Sequence, residues 1–350
     1  MVKIVEIGDS LATDMAENGK THFQRAFQYV ASFPPSIPHT FINMYSDAGQ
    51  MFVDPFSGKG TAPLQALCMG RNAIGNDMSP VAYHYVHSRL KHIPLERALM
   101  MIEELKADIK AIKVNPYDFE PLMFMYNNDT LSDIMRAREY FKDKFDDDSM
   151  FLKAFICSIL YGANHYDLTT DLPGTFPLNL KAAKDFGTIP TYKDLFNCLK
   201  AKITHSMITG VPELRGQVHF GNALDLDKKV RDAVNLVVSS PPYIDMIAYG
   251  EKTWVQQWFL HSDYKEYDAK TKEVGSCAKD GDKYFDVMRD ILGVMYDKLD
   301  NNSACVYVVG GSKRDAETKG MLYIPMKFVE IVKKAGFEPR VIYTRAFNSS

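Results

Sequence analysis

Phe52-Val53-Asp54-Pro55-Phe56-Ser57-Gly58-Lys59-Gly60-Thr61 is the stretch on which the fold turns. The apolar run Met51 to Val53 has the length of a buried strand. A carboxylate and a proline end it, two glycines follow in Gly-x-Gly spacing, and Thr61 to Met69 then reads as a helix. Strand, tight turn and helix in that order place a small-molecule site at the carboxyl end of a parallel strand. Glycine at such a turn lets the backbone approach a ligand that a Cβ would hold off.

A phosphate is the usual occupant of a glycine turn, and here it fits badly. A phosphate loop needs G-x-x-x-x-G-K-[ST], whereas Lys59 lies between the glycines and Thr61 follows the second. Asp54 adds a negative charge where the phosphate would sit. A dinucleotide turn fails too, because Ala62 and Pro63 follow and no third glycine closes it. A carboxylate at this mouth suits a cationic ligand. S-adenosylmethionine, with its ammonium and sulfonium, is the candidate.

Outward from this turn, Arg71-Asn72-Ala73-Ile74-Gly75-Asn76-Asp77 reads as a second strand ending in an acid. Such an acid is placed to accept from both hydroxyls of a ribose, with Met78-Ser79-Pro80 as the turn beneath the adenine. Asp77 has a second reading, as N-cap of the helix through Val81 to Leu90. Much later Leu236 to Ser239 forms another buried strand, and Ser240-Pro241-Pro242-Tyr243 stands at its end.

DPFSGKGT and SPPY together resemble the motifs of the amino-methylating DNA methyltransferases, which act on cytosine N4 or adenine N6. The resemblance covers residues 21–92 and 217–344. It implies an α/β, Rossmann-like S-adenosylmethionine-dependent methyltransferase fold, mainly parallel, with helices on both sides of the sheet. It also implies cofactor contacts from Asp54, Pro55, Phe56, Gly58, Gly60 and Thr61, from Asp77 and Met78, and from Phe33 beside the cofactor's methionine end. Thr21-His22 upstream fits the same pattern, and a proline-rich connector is the plain alternative for Phe33 to Pro38. Where the family carries Gly-Asp-Ala this chain has Gly221-Asn222-Ala223, so Asn222 would accept from the adenine amine through its amide oxygen. Asp225 is the fallback there, and an Asx turn is the alternative.

Ser240, Pro241, Pro242 and Tyr243 are the catalytic candidates. An exocyclic amine is a poor nucleophile because its lone pair is delocalised into the base. Two acceptors on its hydrogens, the Ser240 hydroxyl and the Pro241 carbonyl, localise that pair and aim it at the methyl donor. The prolines fix φ and offer no competing N–H, and Tyr243 gives a flat face to a base swung out of a duplex. Within the family a serine at the first motif position leans toward cytosine N4, with adenine N6 the close alternative. An RNA or small-molecule methyltransferase, and a catalytically silent DNA-binding module, are the remaining ones. Cytosine C5 chemistry needs a nucleophilic cysteine, typically after a proline, and none of the five cysteines follows one. The expected partners are double-stranded DNA and a cognate restriction endonuclease.

Between residues 93 and 216 the pattern becomes helical, with Leu95 to Lys113, Leu131 to Phe145, Met150 to Tyr161 and Tyr192 to Ile208 as helices. This is an insertion in a catalytic domain made of residues 1–92 and 217–350. Three roles stay open for it: target recognition, a cap that completes the core, or a partner surface. The loop stretches 162–166 and 172–177 inside it are long enough to face a substrate. Phe23 to Phe33 and Thr40 to Tyr45 read as helices, Ala304 to Val309 as a strand, Ile324 to Ala335 as a helix and Phe337 to Thr344 as a last strand without a following partner. Trp254 and Trp258, four apart, read as core packing. Lys313 and Arg314 either meet phosphates or are solvated.

The 350 residues carry 46% hydrophobic and 24% charged residues and a net charge of −3, so any nucleic-acid contact must come from local patches. The cysteines are scattered without a zinc-ligand spacing, which suits a reduced, cytoplasmic setting and no metal. The opening residues show no basic-then-apolar leader, and the longest apolar stretch, Ala154 to Ala163, is too short to span a bilayer.

Overall fold

The computed structural model describes residues 3–6, 22–30, 32–169, 171–172, 174, 176–231, 233–243, 249–273, 281–310, 320 and 323–344. Thr21, Pro173, Thr175, Cys277, Lys313 and Arg314 lie outside the described residues.

Five parallel strands make the main sheet: β2 (Met51–Asp54), β3 (Asn72–Asp77), β4 (Gln217–Phe220), β5 (Val234–Ser239) and β6 (Leu299–Tyr307), in the spatial order β4-β3-β2-β5-β6. The chain runs outward from β2 through β3 to β4, then crosses back to start again at β5. The order therefore reverses between β2 and β5, and ligands of open α/β sheets bind at the carboxyl ends on either side of that reversal. Those ends are Asp54 and Ser239, and both sequence motifs begin there.

Alternation along the strands sends side chains to two faces. Val53, Ile74 and Val237 point to one, against Met288, Ile291 and Leu292 of one helix (Gly281–Lys298) and Phe328 and Ile331 of another (Tyr323–Lys334). Phe52, Ala73, Leu236 and Val238 point to the other, against α1 (Ser36–Tyr45), α2 (Thr61–Cys68) and α3 (Pro80–Leu90). The α/β fold with helices on both sides is the one expected of a Rossmann-like methyltransferase.

α3 is a wall shared by two cores. Val86 and Leu90 face the sheet. Val81 and Tyr85 face a helical layer made of α4 (Leu95–Asp108), α5 (Asn128–Tyr140), α6 (Asp147–Ile159) and α7 (Leu195–Met207). The same apolar core takes in Phe23, Phe27, Val255 and Phe259. Trp254 and Trp258 pack on its edge, where the Trp254 indole donates to the Leu178 carbonyl at 3.0 Å and Arg138 lies over the Trp258 ring.

Three local expectations change. Among the described residues of Phe23 to Phe33 no α-helix forms: His22–Arg25 turns as a 3-10 segment. Phe23 and Phe27 are both buried, so their four-residue spacing marks two anchors of an irregular segment rather than one helical face. α1 starts at Ser36, ahead of the expected Thr40, because Pro38 falls in a first turn whose N–H groups have no intrahelical partner to lose. The last strand, β7 (Val341–Thr344), does have a partner: β1 (Lys3–Glu6) pairs with it in parallel, Lys3 opposite Val341. No described helix is long and apolar enough to cross a membrane.

Candidate functional site

Asp54 is 1% exposed at the tip of β2. Its carboxylate accepts from the Phe56 N–H at 3.1 Å and from the hydroxyl of Ser239 at the neighbouring tip. The two strand ends that flank the reversal are thus tied together by side chains 185 positions apart. Burial pushes the Asp54 acid up to about 7 against the pull of those two donors. Asp54 does not line the cavity above it, so the expected direct contact with a cationic ligand is corrected: it is the buried foundation of the turn.

The turn rests on short hydrogen bonds. Ser57 donates its hydroxyl to the Asp54 carbonyl at 2.9 Å and accepts from the Asn76 N–H at 3.1 Å. The Asn76 amide donates to the carbonyls of Pro55 and Gly221, both at 3.1 Å, which joins the turns after β2 and β4. Gly58 and Gly60 sit at φ +52° and +79°. A Cβ on Gly60 would stand 2.9 Å from Val86 Cγ2 and 3.1 Å from Val86 Cα, so the turn presses directly on α3. Gly60 itself is buried and does not line the cavity.

Asp77 ends β3 and accepts from the Gly58 N–H at 2.8 Å and the Ser79 N–H at 2.9 Å. Burial holds its acid up at about 6 despite those donors. The cap of α3 is Ser79, whose hydroxyl accepts from the Ala82 N–H at 3.3 Å. Asp77 is therefore not the N-cap, and it does line the cavity together with Met78. Asn222 lines it as well, while its amide oxygen accepts from the Leu224 N–H at 3.1 Å in the Asx turn weighed as the alternative.

Ser240, Pro241, Pro242 and Tyr243 line the same cavity from the tip of β5. The Ser240 hydroxyl donates to the Tyr243 hydroxyl at 3.1 Å. Its proton is committed there, which leaves the oxygen lone pairs to accept. Gly310 lies against the Tyr243 ring, a Cβ there coming within 3.6 Å of it. Phe33, Pro55, Phe56, Gly58 and Thr61 complete the expected lining.

Several lining residues were not anticipated. Tyr29 stacks on Tyr249 with ring centroids 6.5 Å apart. Tyr267 with Thr271, and Val287 with Ile291, enter as pairs four apart on single helices, a spacing that could have been read as a stripe. Asn76 and Lys59 also line the cavity. Among the described residues no carboxylate pairs with Lys59, and burial, with Arg89 nearby, lowers its ammonium to about 8. The described parts of the loop stretches 162–166 and 172–177 contribute nothing to the lining.

Among the described residues, two buried oxygens at this cavity have no hydrogen-bond partner: the Thr61 hydroxyl and the Asn76 amide oxygen. Orphaned polar atoms in a lining are costly unless a ligand satisfies them. Together with the unpaired Lys59 and the aromatic rings, they fit a ligand that carries both polar groups and flat apolar surface. The donor set suits S-adenosylmethionine.

Residues 6–87 match the model of the DNA methylase family that groups N6 and N4 methylases. The chain is 38% identical over 60 residues to the Type II methyltransferase M.MthZI of Methanothermobacter thermautotrophicus, 17% of each chain. It is 26% identical over 147 residues to the Type II methyltransferase M.MjaII of Methanocaldococcus jannaschii, 40% of this chain and 28% of that one. The matches thus span under a third of either relative's length. Among solved structures, the rRNA methyltransferase AviRa of Streptomyces viridochromogenes aligns over 86% of this chain and 81% of its own at 12% identity, with a TM-score of 0.31, too slight to carry an argument. The motifs and the matched segment resemble the N6 and N4 DNA methylases, and both curated relatives are Type II methyltransferases.

Proposed function

We propose that this protein is an S-adenosylmethionine-dependent DNA methyltransferase acting on the exocyclic N4 amine of a cytosine flipped out of the duplex. One observation carries the proposal. Two motifs some 180 residues apart in sequence line a single cavity at the point where the parallel sheet reverses its strand order. Its upper wall, Tyr29, Tyr249 and Tyr243, offers flat faces to an unstacked base.

Thr61, Asn76, Asp77, Met78 and Asn222 are the residues that would hold the cofactor, with Phe56 and Phe33 along its apolar edge and Lys59 toward its carboxylate. When bound, the cofactor supplies an electrophilic methyl on a sulfonium. Ser240 Oγ and the Pro241 carbonyl accept from the two hydrogens of the target amine and draw its lone pair out of conjugation. The aromatic wall keeps water away and holds the base in line, so the residues act by positioning rather than by covalent attack. Both curated relatives bear the Type II designation, which supports pairing with a restriction endonuclease of the same recognition sequence.

The test is transfer of a labelled methyl from the cofactor to unmethylated double-stranded DNA, followed by digestion to nucleosides. N4-methylcytosine is the expected product. The Ser240→Ala variant should bind cofactor as the wild type does and lose transfer by roughly 10²- to 10³-fold, the scale for removing one preorganised hydrogen-bonding group. N6-methyladenine as sole product overturns the cytosine assignment. Cofactor binding without transfer to any DNA overturns the enzyme.

A further inference from the structure

The helix Gly281–Lys298 reaches the site with its first turn. Tyr284 there is 2% exposed, its ring held edge-on by Phe285 at 5.3 Å and Phe328 at 6.4 Å. Its hydroxyl donates to the Pro242 carbonyl at 2.7 Å. One and two turns further along, Val287 and Ile291 line the cavity.

We propose that Tyr284 is the positioning residue of the Ser240–Tyr243 turn, setting which proline carbonyl is offered to the target amine. Few rotations remain inside this motif. Planar peptide bonds and the two pyrrolidine rings leave the ψ angles of Pro241 and Pro242 as its soft torsions. The Tyr284 hydrogen bond pins the second of these by holding the Pro242 carbonyl. The Ser240–Tyr243 hydrogen bond closes the ends of the motif and leaves the first little freedom. The Pro242 carbonyl is directed at a buried phenol, so the proposal assigns the Pro241 carbonyl, beside Ser240 Oγ, to the target amine. Tyr284 is not among the residues that line the cavity. It acts through the turn, on a geometry where small misplacement has a large effect on rate.

The inference rests on the methyltransferase proposal, and the experiment separates the two. Tyr284→Phe removes one oxygen and keeps the ring. Met295→Ala, buried on the same helix and outside the cavity lining, is the control for lost packing. Cofactor dissociation constant, KM for double-stranded DNA and single-turnover kcat are measured for wild type and both variants, well below their melting temperatures. Tyr284→Phe should lower kcat by about 10- to 100-fold with cofactor affinity and KM within twofold of wild type, while Met295→Ala leaves kcat within twofold. Wild-type kcat in Tyr284→Phe, or a parallel loss in both variants, overturns the positioning role. A Tyr284→Phe variant that fails to fold overturns it too, because the hydroxyl would then hold the fold and not the turn. An inactive wild type overturns both this inference and the function on which it rests.

Discussion

Two regions of this molecule both bury apolar cores and contribute to the cavity very unequally. Every described residue that lines it falls between Tyr29 and Met78 or between Gly221 and Ile291. The helical layer α4 to α7 supplies none. That layer nevertheless reaches the cavity through a chain of rings. Phe155 of α6 meets Phe27 at 5.1 Å, Phe27 stacks on Tyr85 at 4.5 Å, and Tyr85 meets Tyr29 of the cavity wall at 6.3 Å. The chemistry sits on backbone turns at strand tips, where carbonyls and N–H groups are already fixed by the sheet. The helices stiffen α3 from behind. A mutation in either region should therefore be felt in stability, whereas only one region should be felt directly in ligand contact.

Phe155→Ala tests most severely whether the two regions unfold as one. The side chain is fully buried, and emptying such a site costs about 3–5 kcal/mol. Because α3 belongs to both cores, we expect one cooperative unfolding transition at lower temperature, followed identically by circular dichroism and by cofactor-stabilised melting. Two separated transitions would show that the helical layer is a domain of its own, merely attached to the sheet.

The difference between the regions also decided what could be read in advance. DPFSGKGT and SPPY were legible because a glycine turn and a proline pair restrict the backbone locally, whatever surrounds them. The helices of the 93–216 stretch were legible by period, within a few residues at their ends. Contacts made across the fold were not. Nothing local says that Ser239 will hold Asp54, that Asn76 will join two turns, or that Lys3–Glu6 will pair with Val341–Thr344. Asp54 was expected in the cavity because a motif carries residue order but not depth, and the Ser239 hydroxyl is what draws its carboxylate beneath the turn. Asp77 was weighed as the N-cap of α3, a role its residue type suits. Only the strand's exit direction, which gives Asp77 the Gly58 N–H, assigns the role to Ser79.

A smaller effect sharpens the boundary at Gly60, where the turn meets α3. Gly60→Ala adds a methyl at φ +79° against the Val86 backbone. Gly49→Ala carries the same kind of strain, at φ +83°, with nothing within 4 Å. Both should lose about 1–3 kcal/mol for the unfavourable backbone region. Only Gly60→Ala should also weaken cofactor binding, read by calorimetry, since only there must α3 or the turn give way. Equal cofactor affinity in the two variants would mean that the turn can shift off α3 without disturbing its ligand, and the two regions would be mechanically independent.

The finest probe is Lys59, where the regions meet through charge rather than packing. Its ammonium lines the cavity, yet one of the two causes that lower it to about 8 is Arg89, a fully buried guanidinium on α3 that lies over the Phe27 ring. Burial, the larger cause, and Arg89 both disfavour the charged form. A cofactor carboxylate would meet a protonated Lys59 below that value and a neutral one above it. Lys59→Met should weaken cofactor binding about tenfold at pH 7, the lower end for a hydrogen bond to a charged group. The advantage of the wild type over the variant should be complete below pH 8 and close as pH rises through it. The cofactor's own α-amino group titrates nearby, at about 8, but equally for both proteins, so the difference between them isolates the lysine. A gap that stays constant from pH 7 to well above 8 would place the ammonium away from the carboxylate, and the charge on α3 would then have no reach into the cavity.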